Sequence, residues 1–252
     1  MSDDRELKES LKDLLRTMKG ETDAEVLDKT RRDFKGLLSR ATPLAIAQAE
    51  QELVGEGFTQ TDLVSACDVH LELFRDSFAE SEIKVPADHP IARFQKDHRV
   101  ILEMMENLRS ALKAARAKGD PGAARSEMER AKSLIERLLD AENHNVRQEN
   151  TLFPLLERHG LEQPPAIMWM EHTEMKEDKK KARLLIDKAE EMDFATLLDL
   201  LDGVSLRLLE KFAAHTLKEK NILYAAALDV LSDDEWNDIR EECDNLGYFA
   251  EA

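Results

Sequence analysis

His144-Asn-Val-Arg-Gln-Glu-Asn-Thr-Leu-Phe153 and His215-Thr-Leu-Lys-Glu-Lys-Asn-Ile-Leu-Tyr224 are two copies of one pattern. Each opens on His, carries a basic residue three positions on and Asn at the sixth, and closes on Leu and an aromatic. In an α-helix, residues four apart differ by about 40° of rotation and about 6 Å of rise, so their side chains reach a common point. His215 and Glu219 stand in that relation, an imidazole and a carboxylate aimed the same way. The first copy has Gln148 there and offers its carboxylate one residue later, at Glu149. Five residues make about 140° around an ideal helix, so Glu149 needs its long side chain or a local distortion to join His144 at a metal.

Working outward, four of the seven histidines, His98, His144, His172 and His215, fall one on each of four long helical stretches. The first runs from residue 90 to about 117 and is ended by Lys118-Gly119-Asp120-Pro121-Gly122. The second, about 122 to 158, stops at His159-Gly160, and Pro164-Pro165 opens a third to about 190. A fourth spans about 193 to 230, and Ser232-Asp233-Asp234-Glu235 is a capping box for a short final helix. Four long helices with short connections predict an up-down bundle, whose facing helices can each aim one residue at an interior site. Imidazole with carboxylate is a donor set that suits iron.

The N-terminal part reads differently. Leu7, Leu11, Leu14 and Leu15 recur at helical spacing until Gly20, and a second stripe runs from Val26 to Leu38. Thr42-Pro43 is a helix start, with Gly55 and Gly57 as its stop, and Thr61 leads a further stripe through Leu63, Cys67, Leu71 and Phe74. The aperiodic, proline-bearing Ser81-Glu-Ile-Lys-Val-Pro-Ala-Asp-His-Pro90 separates this part from the long helices. The reading is therefore all-α: a helical module over 1–80, a four-helix bundle over 88–230, and a short helix and tail over 231–252.

Composition supports that class. Aromatics are 5% of 252 residues, with 9 Gly and 7 Pro, which leaves few strand formers and few helix breakers. The formal net charge of −17 repels phosphate backbones and anionic lipid, which argues against nucleic-acid and membrane partners. The same acidic surface leaves room for a protein partner or a homodimer. Two cysteines, far apart in sequence, make no disulfide framework, and no apolar run reaches the roughly 18 residues that span a bilayer. A cytoplasmic location is expected.

Four separate motifs carry a resemblance. Phe94-Gln-Lys-Asp-His98 places an acidic residue before His, His144…Glu149…Leu152-Phe153-Pro154 follows, then Glu171-His172, then His215…Glu219. Residues 88 to 230 thereby resemble the hemerythrin-like (HHE cation-binding) family. The N-terminal part, through Glu50-Gln-Glu-Leu-Val-Gly-Glu-Gly57 and Leu63…Cys67-Asp-Val-His70, is similar to a helical module of unknown function that often precedes such domains. The resemblance implies two non-heme iron ions, bridged by carboxylate, with His98, His144, Glu149, His172, His215 and Glu219 as ligands. It also implies a small diatomic or oxidant, such as O₂ or NO, as what the site meets.

The departures are informative. Gln148 stands where the family commonly has Glu, Lys220 where oxygen carriers have Asp, and Lys176 where they have a second third-helix His. Fewer protein ligands leave open positions, which favours sensing, redox chemistry or iron handling over reversible oxygen carriage. A di-iron enzyme reducing peroxide or NO, and a bundle binding heme through two histidines, are the alternatives. Other residues take plainer readings: His159 as a helix-end cap, His89 as a turn residue, and Cys67 with His70 as core. Met168, Trp169, Met170 and Met175 read as core at helical spacing, and Lys176 to Lys181 as a solvated face.

Overall fold

Pro90, whose missing N–H costs nothing at a helix start, opens a helix that runs Pro90–Lys118 and ends on left-handed Gly119. His89 caps it, its Nδ1 accepting the Ile91 N–H at 3.2 Å. The second helical run is segmented: Arg125–Asp140, Glu142–Arg147, a π-turn at Gln148–Leu152, then Phe153–Arg158. The third is Gln163–Asp187. The fourth is Phe194–Lys218, a π-turn at Glu219–Leu223, and Tyr224–Val230. In the N-terminal part the helices Ser2–Met18 and Pro43–Gly55 are formed, and Asp233–Leu246 closes the chain. The computed structural model describes residues 2–19, 23, 25–26, 29–30, 33, 37, 42–59 and 83–249, and none of these is in a strand. The helix expected from Thr61, with Cys67 and His70, lies outside the described residues, as does most of the stripe from Val26 to Leu38.

The contacts define two compact units. One is drawn from Val85–Thr151, Met170–His215 and Asp238–Ala252. In it four helices pack around a core that includes Ile101, Met105, Leu108, Leu134, Leu138 and Leu201. Each such side chain removed from water contributes about 1.5–3 kcal/mol before the entropy cost of ordering it.

Cross-helix pairs fix the direction of every neighbour. His98 meets His144 and Asn107 meets Arg130, so the first two helices run antiparallel. Glu149–His172, Glu142–Lys179 and Glu136–Arg183 make the same descending ladder between second and third. Asp178–Arg207 and Glu174–Lys211 do so between third and fourth. Arg109–Asp202 and Arg116–Asp199 close the ring from fourth back to first. This is an up-down four-helix bundle. The exposed pairs serve register more than stability, since each is worth about 1 kcal/mol or less.

One expectation fails here. Lys179 is buried at 2% exposure rather than solvated. His172, Met175, Lys179 and Ala182 follow one another along the buried stripe of the third helix, so the helical period carries the lysine inward. Glu142 meets it at 2.5 Å and compensates the charge. Trp169 is 57% exposed, although Met168 and Met175 are buried as expected.

The other unit is drawn from Met1–Lys84, Leu152–Trp169 and Thr216–Asn237. Thr42 caps Pro43–Gly55 by accepting the Ala45 N–H at 3.1 Å, as its sequence predicts. Leu11, Leu15 and Leu53 are buried in it, and Lys12 is held by Glu52 at 2.7 Å. Ser232 and Glu235 form the expected capping box, with Glu235 Oε2 accepting the Ser232 N–H at 2.9 Å. His159 ends its helix and bonds the same Glu235 at 2.8 Å. No described helix is long and apolar enough to cross a membrane.

Candidate metal centre

All four bundle histidines are buried, and they meet in pairs. Nε2 of His98 lies 3.2 Å from Nε2 of His144, and Nε2 of His172 lies 3.0 Å from Nε2 of His215. The two pairs have nearly one geometry: ring centroids 4.8 Å apart in both, with interplanar angles of 66° and 62°. The antiparallel arrangement explains this. His98 and His172 sit early on the first and third helices, and His144 and His215 late on the second and fourth, so all four come to one level.

Carboxylates hold the far side of the rings. Asp97 Oδ2 lies 3.3 Å from Nδ1 of His144, Glu149 Oε1 2.8 Å from Nδ1 of His172, and Glu171 Oε2 2.8 Å from Nδ1 of His215. A carboxylate only accepts, so it fixes the proton on Nδ1 and leaves the Nε2 lone pair for a cation. The acidic residues before His98 and His172 are thus used across the bundle, Asp97 by His144 and Glu171 by His215. Consecutive residues on a helix cannot face each other, which is why neither serves its sequence neighbour.

Both copies of the sequence repeat fold into one local device. A π-turn begins at the fourth residue after the His in each, at Gln148 and at Glu219, and regular helix resumes at the aromatic. The wider turn withdraws a carbonyl from the usual four-residue ladder. In each copy the repeat's Asn answers it: Asn150 Nδ2 donates to the Val146 carbonyl at 2.7 Å, and Asn221 Nδ2 to the Leu217 carbonyl at 2.8 Å. This gives the sixth-position Asn a physical reason.

The sequence-predicted residues now have places. Among the described residues, two sets of side chains could hold a cation: His98, His144 and Glu219, and His172, His215 and Glu219, with ligand atoms in each set within 4.8 Å of one another. Glu219 continues the fourth helix one turn beyond His215 and is fully buried. Glu149 is in neither set; it stands a quarter exposed on the outer nitrogen of His172. Gln148 takes the inward position, its amide nitrogen 3.2 Å from Nε2 of His144. The π-turn beside Glu149 leaves the ideal-helix arithmetic standing, with four residues keeping Gln148 on the His144 face and five carrying Glu149 to the third helix.

The donor geometry fits a metal. Two nitrogens about 2.1 Å from one cation and about 90° apart lie about 3.0 Å from each other, whereas trans ligands, as on a heme, lie about 4.2 Å apart. The observed separations are the cis value. With Nδ1 of both His172 and His215 donating to carboxylates, two lone pairs face each other at 3.0 Å, an arrangement that a cation between them relieves.

Asp97 has further partners that sequence reading missed. Arg147, fully buried, reaches the same Oδ2 at 2.5 Å, and Arg93 Nε lies 3.2 Å from Oδ1. Burial alone would raise the Asp97 pKa, but the hydrogen bond from His144 and the charge of the Arg147 guanidinium outweigh it and hold the carboxyl below the usual range. Arg147 is the basic residue of the first repeat copy. Its sequence signal was that position; its burial was not legible without the bundle.

Comparison with protein families gives two matches. Residues 11–80 match a family of unknown function, DUF438. Residues 89–227, more than half of the chain, match the hemerythrin HHE cation-binding domain. A comparison with curated proteins gives no match. With four histidines paired at ligand spacing inside an up-down bundle and this match across it, the chain belongs to the hemerythrin HHE cation-binding family.

Proposed function

We propose that the chain is a cytoplasmic non-heme di-iron protein that binds or senses O₂, NO or a related small oxidant. The observation that carries this reading is the pair of cis-spaced Nε2···Nε2 contacts at one level of the bundle. His98 and His144 would hold one cation and His172 and His215 the other, with Glu219 within reach of both pairs. Glu149 acts from outside, orienting His172, rather than as the metal ligand that the family resemblance implies.

Bound iron supplies a redox-active centre with coordination positions that the protein leaves open. The chain's own residues do the rest. Carboxylates on Nδ1 fix three imidazoles in one tautomer and direction, so little reorganisation accompanies binding of a ligand. Phe94 and Phe212 stand edge-on to His144 and His98, at 5.6 and 5.9 Å between centroids, and keep that side of the site apolar. Four histidines and one shared carboxylate are too few to fill two octahedral shells, which favours a site that meets an outside ligand over a closed structural one.

The test is elemental analysis with an absorption spectrum after anaerobic loading with ferrous iron and exposure to air. The expected result is two irons per chain, near-ultraviolet bands of a bridged ferric pair, and a spectral change on adding NO. Metal far below one per chain, or a Soret band, would sink the reading.

A further inference from the structure

The two halves of the centre have almost the same first layer and different surroundings. His172 and His215 are each backed by a carboxylate, Glu149 and Glu171, at 2.8 Å. No ion pair of Glu149 with a Lys or Arg occurs among the described residues. His144 is backed by Asp97 at a longer 3.3 Å, and that carboxylate is shared with Arg147 and Arg93. Arg147 is fully buried and Asp97 is 1% exposed, so water does little to screen this cluster.

We infer that the two cation positions are inequivalent, with the His172/His215 position filled first and more tightly, and that Arg147 and Arg93 set the difference through Asp97. The inference rests on the proposed two-cation reading. Two effects push the same way. A carboxylate on Nδ1 raises the donor strength of an imidazole only to the extent that its charge is available, and the two guanidinium groups draw that of Asp97 away from His144. The guanidinium charges also sit on Asp97, on the Nδ1 side of His144, and their repulsion opposes a second positive charge at its Nε2. At His172/His215 the facing lone pairs, each locked by its own carboxylate, call for a positive charge before any metal is present.

The tests use the full chain, freed of metal and titrated anaerobically with Co²⁺, whose visible bands report each bound ion. Two steps are expected, separated by at least about tenfold in affinity, on the scale of effects from groups that hold metal-binding imidazoles. Arg93→Gln relieves Asp97 of one cation from a partly exposed position and should tighten the second step several-fold while leaving the first unchanged. Glu149→Gln should weaken the first step by about tenfold or more. Melting of each metal-free variant, followed by circular dichroism, separates a changed site from a damaged bundle. A single step of two equal ions that Arg93→Gln does not alter would overturn the inequivalence and leave the two-cation reading intact. No bound Co²⁺ at all would overturn both.

Discussion

The carboxylate of Asp97 meets Nδ1 of His144, 47 residues away, and not the ring of His98 beside it. Glu171 repeats the relation with His215 across the third and fourth helices. An acid–His dipeptide therefore does two jobs on two helices: its His faces the site, and its acid orients the His of the next helix. The bundle's register must be correct before either job is done, so the centre and the fold depend on the same alignment.

Arg147→Ala should be among the more damaging single changes in the metal-free protein. It removes one partner of a buried pair and leaves Asp97 to Arg93 and His144. A loss of about 3 kcal/mol is expected, at the low end for broken buried pairs because Arg93 remains. Urea unfolding measures it, and a loss within 0.5 kcal/mol, the scale of an ordinary surface substitution, would mean that the pair is not buried as described.

Asn150→Ala and Asn221→Ala should each cost about 1 kcal/mol, the usual worth of one hydrogen bond to a carbonyl. Their shared role predicts more than a stability change. Each π-turn starts at a residue of the site, Gln148 or Glu219, so both variants should also bind Co²⁺ less tightly. Unchanged affinity in both would separate the π-turns from metal binding.

Gln148→Glu restores the carboxylate that the family commonly has at this position. Gln148 is buried and already faces Nε2 of His144, so the new charge needs no rearrangement to reach the cation. Affinity at the His98/His144 position should rise by about tenfold or more, the effect of one added charge at short range. Isothermal titration with Co²⁺ reads it directly.

Glu235 gives the pH prediction. The Ser232 backbone N–H, then the hydrogen bond from His159, lower its pKa to about 2 from the ordinary glutamate value of 4.5. Its folded value lies below its unfolded one, so its contribution is present in full above the unfolded pKa. The contribution fades as pH falls from about 4.5 towards about 2. A carboxyl ¹³C titration should place the midpoint near 2, and a midpoint at 4 or above would contradict the capping-box geometry.

Helical period and punctuation were enough for the bundle. Pro90, Gly119, Gly160 and Ser232 bound elements where the sequence places the boundaries, because caps and breakers act locally. The four histidines were legible for the same reason: one per helix, at depths that an antiparallel packing brings level.

What tertiary structure decided is which partner each charged group meets. That Glu149 serves a histidine at all, from outside the centre, is decided by the third helix standing beside it, where Nδ1 of His172 meets its carboxylate. Lys179 reads as one charge in a charged run until the buried stripe of its helix takes it inside to Glu142. The cross-bundle roles of Asp97, Glu171 and Arg147 do not show in their own helices, because the partners concerned lie 47, 44 and 50 residues away. Backbone propensity and capping are settled within a turn or two of chain. The energy of a buried charge is settled by what lies across the bundle, and only packing brings those groups together.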